Sequence, residues 1–125
     1  MSDSIKHECG IALLRLKKPL DFYLEKYGTA FYGLRKMYLL MEKQHNRGQD
    51  GSGLANIKLD MAPGTRYVSR SRFTGNNNIQ RVFEHINERF DNLTPEQFND
   101  TEWLKQNHAF TGEVFLGHFK KSFNN

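Results

Sequence analysis

The chain has 125 residues, with 18 Lys and Arg against 14 Asp and Glu, a hydrophobic share of 38% and ten phenylalanines. That length buries one core. The aromatic content excludes a wholly disordered chain, the single cysteine excludes a disulfide scaffold, and no apolar run approaches a membrane span. The net charge of +4 is spread along the chain. Its densest run, Arg66, Arg70 and Arg72, reads as a solvated strand and turn, so neither nucleic acid nor a membrane is expected as a partner. Residues 1–8 are polar and lack the apolar stretch of an export signal, which makes a cytoplasmic location the expectation.

Residues 9–16 form a short apolar run closed by Lys17, Lys18 and Pro19, the pattern of a buried strand and a turn. Gly28 and Gly33 punctuate the next stretch. Leu34, Met37, Tyr38 and Met41 recur at helical spacing and predict a helix over 34–45, stopping near Asn46 and Gly48. Residues 48–53 read as a glycine-rich loop, in which Gly48 or Gly53 is expected to take a positive φ. A strand over 54–59, a turn at 62–64 and a strand over 65–73 then make a hairpin. After a break at 75–78, Ile79, Val82, Phe83, Ile86 and Phe90 make a helical stripe. Thr94, Pro95 and Gln97 are the cap, first position and capping-box partner of a last helix. It turns Phe98 and Leu104 inward and ends near Asn107. A strand over 114–118 closes the pattern.

Candidate chemistry begins with Cys9. A lone cysteine on a strand is usually a small buried hydrophobe. If residues 1–8 were removed, however, Cys9 would carry a thiol beside a free α-amine, and an amine with a pKa of about 8 serves as a base near neutral pH. The loop at 48–53 has no preceding strand and no Gly-Lys-Ser/Thr ending, so it does not read as a nucleotide cradle. His7, His45, His85, His108 and His118 are scattered without metal-ligand spacing.

Three short motifs occur in order: Cys-Gly-Ile at 9–11, Gln-His-Asn-Arg-Gly-Gln-Asp-Gly-Ser-Gly at 44–53, and Glu-Val-Phe-Leu-Gly-His at 113–118. Together they resemble the glutamine-dependent amidotransferases whose nucleophile is an N-terminal cysteine. Gln49 after Gly48 makes the chain most similar to the amidophosphoribosyltransferase family. The resemblance implies an α+β chain, a partial four-layer α/β/β/α sandwich of the N-terminal nucleophile hydrolase type. Residues 1–8 would be a leader, 9–118 the N-terminal part of the amidotransferase domain and 119–125 a divergent tail.

Enzymes of this kind attack the side-chain amide of glutamine with the cysteine thiolate and pass the released ammonia to phosphoribosyl pyrophosphate in purine synthesis. By resemblance, Cys9 is the nucleophile and Arg47 orders the loop beside it. Gly48, Gln49, Asp50 and Gly53 form the loop motif. Lys120 stands where an arginine binds the substrate carboxylate, a swap that loses the planar two-pronged donor. The implied substrate is glutamine, no cofactor is implied for this fragment, and the remainder of the enzyme is its missing partner.

Asn46 is one residue more than the usual motif, and Lys120 and Lys121 replace Arg-Tyr. No position matches the family's Asn-Gly oxyanion donors. The departure after His118 reads as a frame change, and the chain alone is expected to be inactive. The alternative from another class is a non-catalytic interaction module in which Cys9 is merely buried.

Overall fold

The computed structural model describes residues 7–44 and 50–122. In chain order the elements are β1 (His7–Arg15), α1 (Leu20–Tyr27), α2 (Tyr32–Gln44), β2 (Gly51–Ile57), β3 (Val68–Thr74), α3 (Asn78–Glu88), α4 (Pro95–Phe98), α5 (Thr101–Asn107) and β4 (Val114–Ser122). Among the described residues the four strands make one antiparallel sheet in the order β1–β4–β2–β3, so the chain is a small α+β fold.

Alternation along the strands gives the sheet two different faces. Ala12, Leu54, Phe115 and Phe119 are buried and join the core with Leu34, Met37 and Met41 of α2 and Ile79, Val82, Phe83 and Ile86 of α3. Burying a side chain of this size is worth about 1.5–3 kcal/mol, and such burial holds the helices to the sheet. The helix α2 approaches so closely that a Cβ on Gly117 would lie 2.6 Å from Met41 Sδ and 3.0 Å from Met37 Cε. The opposite face carries Ile11 (69% exposed), Leu13 (67%) and Leu116 (41%), with Arg70, Arg72 and His118 beside them.

Several expectations are corrected. The helix α1 has no counterpart among the expected elements; Leu20 and Tyr23 are buried, and Gly28 ends it with φ +80°. Gly51 and Gly53 are not in a loop. They pair with Lys120 and His118 on one side and with Thr74 and Arg72 on the other, so β2 starts three residues earlier than the apolar run. Gly53 does not take a positive φ, because ladder pairing on both sides keeps it extended; Gly48 lies outside the described residues.

The final helix is two. The capping box of Thr94 and Gln97 forms as expected, but α4 closes after one turn, and Asp100 accepts from Trp103 N–H to start α5. The strand β4 does not stop at His118 but runs to Ser122, because β1 pairs with it through His7 and β2 through Gly51. The same pairing brings His7 and Glu8 into β1, ahead of the expected strand start.

Candidate functional site

The strand order decides what meets what. The last strand, β4, inserts between β1 and β2, although more than a hundred residues separate Cys9 from Lys120. Cys9 pairs with Lys120, and Lys120 with Gly51. In the next row on the same face Ile11 pairs with His118, and His118 with Gly53. Segments of all three sequence motifs thus stand in adjacent rows at one end of the sheet.

Backbone bonds fix this end. The Asp50 N–H donates to Lys120 O at 2.7 Å, and the Gly75 N–H donates to Asp50 O at 2.9 Å. Asp50 therefore enters β2 clamped between β4 and the turn after β3. The exposed His118 ring lies over Gly53, where a Cβ would come within 2.6 Å of its Nε2, so a side chain there would have to turn the ring aside. Glycine in mid-strand lets the ring rest there undisplaced. Lys120 is exposed.

Of the expected site residues, the structure brings together Cys9, Asp50, Gly53 and Lys120, the first by its backbone pairing. Arg47, Gly48 and Gln49 lie outside the described residues, as do His45 and Asn46. Among the described residues no group of three His, Cys, Asp or Glu is placed to hold a metal ion. The histidines have separate surroundings. His85 Nδ1 meets Ser71 Oγ at 3.2 Å, while the two ring nitrogens of His108 meet Ala109 O and Arg89 O. No helix of the described residues is long and apolar enough to cross a membrane.

Sequence reasoning missed a second polar cluster at the other end of β2. Lys58 is 7% exposed, and its ammonium donates to Lys105 O at 2.6 Å, in the last turn of α5. Burial first, then the charges of Lys105 and Arg66, hold the Lys58 ammonium below the usual lysine range, with Glu113 opposing them. Glu113 is itself engaged by Lys105 Nζ at 2.5 Å and by the Leu59 N–H at 2.9 Å. Beneath it Asn56, fully buried, donates from Nδ2 to Gly112 O at 3.2 Å and Val114 O at 3.1 Å. The signal for these residues was faint: Asn56 and Lys58 both fall on the inward register of the strand read over 54–59, where Leu54 is the apolar one.

No family model matches this chain, and neither a curated protein nor a solved structure matches it.

Proposed function

We propose that this chain carries the nucleophile-bearing part of a glutamine amidotransferase of the amidophosphoribosyltransferase type. One observation supports the reading above the others: residues 9–11, 50–53 and 117–120, remote in sequence, fall in neighbouring rows of β1, β2 and β4. The third motif runs along β4, and its last residues, Gly117 and His118, are the part that reaches these rows.

In this reading Cys9 with a free α-amine is a complete activated pair, the amine taking the thiol proton. The thiolate adds to the side-chain carboxamide of glutamine, the C–N bond breaks, and ammonia leaves with a proton returned by the amine. A γ-glutamyl thioester remains, and water cleaves it to glutamate and thiol. Lys120, paired to Cys9, supplies a positive charge near the substrate's α-carboxylate. The finer fold belongs to the same proposal: Ile11, Leu13 and Leu116 form an open apolar face that a second sheet would cover in an α/β/β/α sandwich. That face also favours the alternative reading, a non-catalytic module that binds a partner there.

The test uses the chain beginning at Cys9 and a diazoketone analogue of glutamine. Cys9 is the only cysteine, so intact mass reports its alkylation without ambiguity. The expected result is one adduct, slowed by added glutamine and not by asparagine, and absent in Cys9→Ser. Alkylation indifferent to glutamine would leave Cys9 an ordinary thiol and favour the interaction module.

A further inference from the structure

At the end of β2 away from Cys9, a pocket of about 310 Å³ opens. Its lining includes Lys58, Arg66, Arg70 and Arg89, and no acidic residue. These four cations come from separate parts of the chain: Lys58 just after β2, Arg66 and Arg70 from the approach to β3 and the strand itself, and Arg89 from the end of α3. The guanidinium groups of Arg70 and Arg89 have no hydrogen-bond or ion-pair partner among the described residues. Glu113, the acidic residue that acts on Lys58, is already held by Lys105 and the Leu59 N–H.

The cap that Lys58 makes on α5 accounts for Lys58 alone. It does not account for three exposed arginines around the same concavity, where like charges repel. An anion in the pocket would reverse that repulsion. A carboxylate offers one charge to four cations. A phosphate group offers about −1.5 to −2 and three acceptor oxygens, matched by the planar forks of arginine. The volume is at the lower end of small-molecule sites.

We propose that this pocket binds the phosphate group of a small phosphorylated molecule. Arg70 and Arg89 grip the phosphate oxygens, and Lys58 supplies charge from the pocket floor. The site is independent of the amidotransferase reading: at roughly 3.3 Å per residue, Lys58 lies about 20 Å along β2 from the Cys9 row, and Arg70, paired with Ala55, about 13 Å.

The experiment is calorimetric titration of the full chain with inorganic pyrophosphate and with glycerol phosphate at about 0.15 M salt. The variants are Arg70→Ala, Arg89→Ala and, as an exposed control, Lys36→Ala. Binding of at least one probe below about 1 mM is expected. Each arginine variant should weaken it about tenfold or more, and Lys36→Ala should leave it unchanged. No binding of either probe overturns the proposal, as does an equal loss in Lys36→Ala, which would mean diffuse attraction. Tighter binding of a single-stranded oligonucleotide with a steep salt dependence also overturns it in favour of a nucleic-acid surface. Because glutamine-protected labelling of Cys9 reads the other end of the sheet, failure of one proposal leaves the other standing.

Discussion

Asn56 is the buried polar residue whose removal most directly tests how β2 is tied to β4. Its side chain is 0% exposed, and its Nδ2 spans Gly112 O and Val114 O. Its Oδ1 has no hydrogen-bond partner among the described residues. Asn56→Ala removes two hydrogen bonds, each worth about 0.5–1.5 kcal/mol net, strands two carbonyls and leaves a small void, for a total of about 2–4 kcal/mol.

Asn56→Asp is more diagnostic. It keeps the shape but turns an oxygen toward the two carbonyls, so the new carboxyl can donate to one of them, and only when protonated. Its folded pKa must then lie above the unfolded value of about 3.9. The stability it retains is fully present below that value and is lost as pH rises through the raised folded value. The assay is urea unfolding at pH 4 and pH 8. With a slope of about 1.5 kcal/mol per molar, a 3 kcal/mol loss moves the midpoint by about 2 M. The midpoint gap between Asn56→Asp and wild type should be much smaller at pH 4 than at pH 8. An equal gap at both pH values, or an Asn56→Ala variant within about 0.5 kcal/mol of wild type, would refute the assigned hydrogen bonds.

Three further outcomes are expected. Gly112→Ala should lose about 2–3 kcal/mol, because the new Cβ would sit 2.6 Å from Ile57 O, a backbone atom with little freedom to move. Thermal unfolding reads this as a fall of several degrees, and an unchanged midpoint would contradict the packing. Lys58→Met should change the pH profile: the wild-type ammonium is held below its ordinary value of 10.5, so the unfolded chain binds that proton more tightly. Wild-type stability relative to the variant should therefore rise as pH climbs through the lowered value toward 10.5, and a flat difference counts against a strained ammonium. Lys120→Arg restores the planar donor beside Cys9 and should speed glutamine-protected alkylation several-fold, whereas an unchanged rate would detach Lys120 from substrate binding.

One division separates the legible elements from the hidden ones. Elements defined by their own periodicity were legible: the stripe from Ile79 to Ile86 is α3, the hairpin around residues 62–64 joins β2 to β3, and Thr94 with Gln97 forms the cap read from the residue types. The helix α1 had a signal that was passed over, since Leu20, Tyr23 and Tyr27 lie three and four apart before a left-handed Gly28. The glycines of β2 were read as a loop because glycine carries no strand signal of its own. The His118 ring from another strand rests over Gly53, a contact that no spacing along the chain announces.

Non-local pairing hid the rest. Nothing near residue 119 announces that β4 continues to Ser122, since Lys120 and Lys121 look like the start of a polar tail; partners on both sides of β4 override that composition. The same insertion of β4 between β1 and β2 creates the candidate site, because it alone carries His118 and Lys120 to the rows of Ile11 and Cys9. The basic pocket is hidden for a related reason. Arg66 and Arg70 are solvated charges, as their composition suggests, and only the chain return after β2 and the end of α3 set Lys58 and Arg89 around the same hollow. Spacing along the chain shows which residues share an element, and the sheet order determines which elements share a site. The chemistry proposed at both ends of β2 therefore rests on the position of β4 and on the hairpin that carries β3 back alongside β2, and variants that loosen either pairing should disturb the site it supports first.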